Sequence, residues 1–171
     1  MKKIGIRLFV VLVLLITAAP LAQAETNHRM ANKMGVHLGL LGDPFPTLAG
    51  INLDYNVCSF ARATAGYGSI SATTVGGELK ATTIGAGIRT FHPEWNFSPV
   101  VGLSWANVSV TSTGTLGTLT VGGFGASASH LYATFGLDWQ AGSGFNFGAG
   151  YNLSLKSGVG GLPYINIGWF F

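Results

Sequence analysis

Apolar residues recur at every second position through most of this chain, in runs divided by Gly, Pro, Ser and Asn. That period belongs to a β-strand with two unlike faces, not to a helix. It is clearest in Gly161 to Phe171 (GLPYINIGWFF). There Pro163, Ile165, Ile167, Trp169 and Phe171 share one parity, and Tyr164, Asn166, Gly168 and Phe170 the other. Seven earlier runs alternate in the same way and predict strands over about Lys33 to Leu41, Leu48 to Val57, Phe60 to Ile70, Leu79 to Phe91, Phe97 to Val110, Ser127 to Trp139 and Phe145 to Leu155. In each, Leu, Ile, Val, Ala or aromatic residues hold one face, while Gly, Asn, Ser, Thr, His and the few charges hold the other.

The breaks between runs are of two kinds. Cys58, His92 to Trp95 and Gln140 to Gly144 allow only tight connections. Gly42-Asp43-Pro44-Phe45-Pro46, Ser71 to Glu78, Thr111 to Ala126 and Ser157 to Gly161 are Gly-, Pro-, Ser- or Thr-rich and read as loops. Within Thr111 to Ala126 the TLGTLTVGG core is able to extend its flanking strands into a projecting hairpin. Eight strands, short turns at one end and longer loops at the other, predict an all-β, eight-stranded antiparallel up-and-down transmembrane β-barrel, in which every backbone polar group is paired inside a bilayer. A soluble β-sandwich is the alternative. It would keep one face polar enough for water and would not gather its charges opposite an apolar face.

Composition sharpens this picture. Of 171 residues 48% are hydrophobic, only 9% are charged and 26 are Gly, yet no interior run is long and apolar enough for a spanning helix. Met1 to Ala24 reads as a signal peptide: a basic start, an apolar run from Leu8 to Ile16, and Ala22-Gln23-Ala24 as the cleavage site. Removing Lys2, Lys3 and Arg7 with it leaves six Lys/Arg against six Asp/Glu. The mature protein is then neutral, and no basic stripe points to nucleic acid. Residues 25–32 read as a periplasmic lead-in and residues 33–171 as the barrel. Cys58, the one cysteine, has no internal disulfide partner and reads as a small buried residue.

With the amino terminus periplasmic, Trp95, Phe97, Trp139, Phe145, Trp169 and Phe171 fall in one belt at the periplasmic membrane interface, where amphipathic rings are favoured. A closing strand that ends on Phe, with an apolar outer and a Gly/Asn inner face, resembles the small outer-membrane β-barrels of Gram-negative bacteria, the OmpA-type and opacity-like superfamily. The resemblance spans the mature chain and is architectural. It implies the bacterial outer membrane as location, with outer-membrane lipid, lipopolysaccharide and the barrel-assembly machinery as partners, and it names no activity.

The inward parity holds most of the strand charges. Asp54, Arg62, Arg89 and Asp138 all fall in the periplasmic half, with Lys33 placed to join them. Ionised groups in a narrow interior must be paired, so these residues predict a basal charge network that plugs the floor; a gate for small solutes is the other reading. Above the floor the inward positions are largely glycine, with His130 and Tyr132 among them. They predict a cup open to the outside in which His130 and Tyr132 touch a ligand, unless inward Phe60, Phe91 and Phe170 fill the space.

Enzymatic chemistry finds little support. Ser127, Ser129 and His130 are near one another, but neighbours on a strand alternate faces, and the His-x-Ser pattern of the barrel deacylases is missing. His28, His37, His92 and His130 are scattered and lack the spacing of metal ligands, so no cofactor or metal is expected. The expected role is that of an envelope structural or surface-interaction protein with a narrow lumen. A small-solute pore or small-ligand-binding barrel is the alternative, and a lipid-modifying enzyme a more distant one. An extracellular partner, if there is one, would meet the Thr111 to Ala126 hairpin, whose edge suits strand pairing.

Overall fold

In the computed structural model, residues 28–43, 49–74, 77–116, 119–156, 158 and 160–171 are described. The proposed signal peptide, 1–24, lies outside them. A single helical turn, α1 (His28–Ala31), precedes eight strands: β1 (Met34–Leu40), β2 (Ala49–Cys58), β3 (Ala61–Thr74), β4 (Gly77–Thr90), β5 (Phe97–Leu116), β6 (Leu119–Gln140), β7 (Phe145–Ser154) and β8 (Gly161–Phe170). Each strand pairs antiparallel with the next, and β8 returns to β1 through Gly35↔Phe170 to Leu40↔Ile165, so the sheet closes into a barrel. Closure removes the sheet edges that would otherwise leave backbone groups unpaired.

The period-2 pattern becomes an inside and an outside. Along β1 the residues alternate exposed and buried from Met34 to Leu40, with Gly35, His37 and Gly39 inward. Leu38, Leu53 and Ile84, at 61%, 60% and 60% exposure, belong to an apolar outer surface that continues around the barrel. The two prolines inside strands sit where the ladder on one side has ended. Pro99 lies beyond the last β4 to β5 pair, Thr90↔Val101, and Pro163 beyond the last β1 to β8 pair, so neither interrupts pairing on that side.

Two sequence expectations change. Ser71 to Glu78 is largely strand, since β3 and β4 stay in register to Thr74↔Gly77. Most of Thr111 to Ala126 is also strand, with β5 and β6 paired out to Leu116↔Leu119 past one register shift between Ser112 and Gly114. The wall is therefore uneven. The β2 to β3 ladder stops at Gly50↔Gly68 and the β6 to β7 ladder at Tyr132↔Ser154, while β3 to β6 continue as a projecting sheet. Gly125 to Ser129 are exposed on both faces there. With both faces in the same surroundings, alternation has no cause, and the run of Ser, Thr and Gly mimics a loop.

Candidate functional site: the barrel interior

The interior is built from three polar layers. The first, at the short-turn end, surrounds Asp138 on β6. Its Oδ1 accepts from Arg29 Nη1 at 2.9 Å and its Oδ2 from Arg62 Nη1 at 3.1 Å, while Asn146 Nδ2 donates to both oxygens at 3.1 Å. Gln140 Oε1 accepts from Arg62 Nη2 at 3.0 Å and from Arg29 Nη1 at 3.3 Å, and Arg62 Nε donates to Asn56 Oδ1 at 3.1 Å. Both guanidinium groups lie over the Phe91 ring, 4.4 and 4.5 Å from its centroid, and Arg62 also lies 4.3 Å from that of Phe170. Planar, weakly hydrated guanidinium suits such a place, because it bonds in its plane and stacks through its faces.

Arg29 comes from the lead-in, not from a strand. Asn56 Nδ2 donates to the carbonyls of Arg29 and Asn32, at 2.9 and 3.0 Å, and so draws α1 up into the mouth of the barrel. Arg29 is then fully buried. Burial lowers its guanidinium from the ordinary value against the opposing pull of Asp138. Lys33, expected among the basal charges, is exposed, and Arg29 takes that place.

One level up, His37 pairs with Asp54, and the His37 ring meets Phe170 edge-on at 5.0 Å. The third layer pairs Arg89 Nη2 with Asp43 Oδ1 at 2.8 Å, while Asp43 Oδ2 accepts from Asn166 Nδ2 at 2.9 Å. Tyr164 lies beneath Arg89, ring centroid 5.4 Å from the guanidinium carbon. Asp43 was expected in an outer loop. Instead Leu41 and Gly42 take positive φ, 58° and 124°, and turn the chain inward; Asn152 Nδ2 holds the Gly42 carbonyl at 2.7 Å. A left-handed Leu costs roughly 1–2 kcal/mol, which the buried Asp43 contacts must offset.

Of the four strand charges singled out in the sequence, only Arg62 and Asp138 share a salt bridge. Arg89 and Asp54 turn to Asp43 and His37, so a single basal network becomes separate layers whose missing members come from aperiodic segments. The expected cup is not open at this height. A β-carbon added at Gly35 would lie 2.7 Å from the Phe170 ring, and one at Gly136 would lie 2.6 Å from the Tyr164 hydroxyl. Large inward neighbours already occupy the space the glycines release. Tyr132, 3% exposed, packs with Ala106 and Leu162. His130, paired with Ala106 on the inward parity, is half-buried.

At the short-turn end the aromatic residues form a connected series. Phe97 pairs with Trp139 and Phe145 with Trp169 across neighbouring strands. Trp139 and Phe145 meet edge-on at 5.7 Å, Phe145 and Trp169 at 6.1 Å, and Trp95 stacks on His92 at 4.1 Å. Phe171 exchanges backbone hydrogen bonds with Met34, which locks the carboxy terminus to the first strand.

A closed eight-stranded antiparallel barrel with an apolar exterior and a polar interior has the fold of the small outer-membrane β-barrels. Among solved structures, it is similar to the N-terminal β-barrel domain of Pseudomonas aeruginosa OprF, with TM-score 0.56 and 14% identity over 82% of this chain and 98% of that one. The attachment invasion locus protein Ail of Yersinia pestis gives a TM-score of 0.48 and 13% identity over 81% and 94% of the two chains. At 14% identity the likeness to the OprF domain is one of fold. No family model and no curated protein matches the sequence.

Proposed function

We propose that the chain is an integral β-barrel of the bacterial outer membrane, closed to solutes, which serves the envelope as a structural and surface-contact protein. The observation that carries this reading is the pairing of buried charge in layers across the interior: Arg29 and Arg62 on Asp138, His37 on Asp54, and Arg89 on Asp43. A conducting pore keeps water against its charges. Here every acid among these pairs is bonded to a base and almost wholly buried. The continuous apolar exterior supports a lipid environment, since soluble monomers rarely expose so large an apolar surface.

Outer-membrane lipid, lipopolysaccharide and the barrel-assembly machinery are the partners that follow from this placement, the last engaging β8 and its terminal Phe171. Contact with a surface partner is favoured by the projecting β3 to β6 sheet, whose β6 edge has no β7 pairing beyond Tyr132. The test is solute flux. Proteoliposomes holding the refolded protein should swell in isotonic arabinose no faster than empty ones. Rapid swelling would make it a pore, and release of fatty acid from the vesicle lipid would make it an enzyme; either outcome rejects the reading.

A further inference from the structure

Where β3 to β6 rise past their neighbours, the two faces of the wall exchange character. In the barrel proper the outward face is apolar and the inward face polar. Past it, the outward row Ser69↔Thr82↔Ser109↔Ser127 consists of hydroxyl residues, and the inward row beside it, Ile70↔Ala81↔Val110↔Ala126, is apolar throughout. The next inward row begins with Ala72↔Leu79. Ile70 and Leu79 are 37% and 49% exposed, over the mouth of the barrel. Solvent reaches both faces of this sheet, so the surroundings alone give no cause for the contrast. An apolar face held over a polar lumen suits an amphipathic occupant.

At the foot of that face stand polar atoms without partners. Thr83 on β4 and His130 on β6 both point inward, the first fully buried and the second half-buried. Neither Thr83 Oγ1 nor His130 Nδ1 has a hydrogen-bond partner among the described residues. By register Thr83 matches Ala128, through Val108, but the ladders of a barrel slope. Arg62 gives the slope: its register mate on β6 is Thr134, through Arg89 and Gly102, yet it bonds Asp138, four residues nearer the short turns. Over two strands the shift is about two to three residues, which brings His130 level with Thr83. Gly85 and Ala106 lie between them. A β-carbon added at Gly85 would have three β5 atoms as its nearest neighbours, the first at 3.1 Å, whereas at Gly35 the Phe170 ring fills the space. A buried polar atom without a partner is costly, and a bound head group would satisfy both.

We propose that the mouth of the barrel binds one medium-chain fatty acid with its carboxyl group downward. The two carboxyl oxygens accept from the Thr83 hydroxyl and from His130 Nδ1–H, and the chain lies against Val108 and Val110, with Ala126 and Ala128 beside it. Six residues separate Gly85 from Leu79, about 20 Å of strand, which gives room for one extended chain. A carboxyl group is small enough for a place where Thr83 has no exposed surface; a phosphate with its ester groups is not. The site lies above the Arg89 and Asp43 layer, so it stands apart from whether the layers below conduct.

The test reconstitutes the refolded protein in phosphatidylcholine nanodiscs and titrates isotope-labelled dodecanoic acid, with uptake by empty discs subtracted. One saturable site per barrel is expected. Thr83→Val and His130→Phe should each weaken it about tenfold, the worth of one hydrogen bond to a charged head. Ala126→Asp and Ser127→Asp decide which face is used, since both positions are exposed and adjacent on β6 but face opposite ways. The first should weaken binding at least tenfold, and the second should leave it unchanged. The gel shift between folded and unfolded barrel confirms that each variant is folded. Binding that survives Ala126→Asp, an equal loss from Ser127→Asp, or no saturable site in a folded barrel would overturn the proposal. Dodecanol bound as tightly as the acid, or binding untouched by Thr83→Val and His130→Phe, would overturn the carboxyl assignment.

Discussion

Replacing Asp138 with Asn should be the most damaging single change in the interior. The carboxylate neutralises two buried guanidinium groups, with Arg29 at 2.9 Å and Arg62 at 3.1 Å. Asn keeps the shape and removes the charge. Breaking a buried pair from one side costs about 3–5 kcal/mol. Arg29→Met leaves Asp138 bonded to Arg62 and Asn146, so its cost is that of a charge-assisted hydrogen bond, about 1.5–3 kcal/mol. In the double variant the Asn faces a single guanidinium, and its cost should fall short of the sum by about 1–3 kcal/mol. Urea titration in lipid micelles, followed by tryptophan emission and by the gel shift between folded and unfolded barrel, measures all three. An Asp138→Asn effect below about 0.5 kcal/mol, or strict additivity in the cycle, would refute the first layer as a coupled unit.

Other changes probe other parts of the fold. Gly35→Val should destabilise the barrel by about 1–3 kcal/mol through overpacking against the Phe170 ring, measured in the same titration, whereas Gly125→Val, in open space, should be near neutral. A chain ending at Trp169 loses Phe170 from the interior and the Met34 to Phe171 backbone bonds, so its insertion into vesicles should drop sharply; normal insertion would contradict the role given to the closing strand. Raising salt from 0.05 to 0.5 M (roughly the range over which surface pairs are screened) should change the unfolding midpoint little, because the charge pairs are buried.

The barrel was readable from the chain because two environments impose period 2 on every strand that crosses between them. Met34 to Leu40 or Phe145 to Ser154 alternate because one face meets an apolar surrounding and the other a narrow polar interior. The projecting parts of β3 to β6 were read as loops because that contrast disappears there. Phe91 and Phe170 were placed inward by parity, but their role as stacking surfaces for Arg29 and Arg62 needed the closed barrel.

The candidate charge network was legible only in its strand members. Asp54, Arg62, Arg89 and Asp138 announce themselves as charges on a glycine-rich face. Arg29 and Asp43 sit in aperiodic segments, ETNHRMAN and GDPFP, where nothing in the local pattern distinguishes a buried charge from a solvated one. The strand members balance by count, two arginines against two aspartates, so nothing in the sequence signalled that Arg29 and Asp43 would join them.

Single-channel recording in a planar bilayer tests the closed interior most directly. The layers lie in series, so the unmodified barrel should be silent, and so should Arg29→Ala/Arg62→Ala, which empties the first layer but leaves Asp43 on Arg89. Conductance should appear only when His37→Ala, Asp54→Ala, Asp43→Ala and Arg89→Ala are added, which removes the second and third layers as well. Discrete current steps from the unmodified protein would contradict the account and make the barrel a pore.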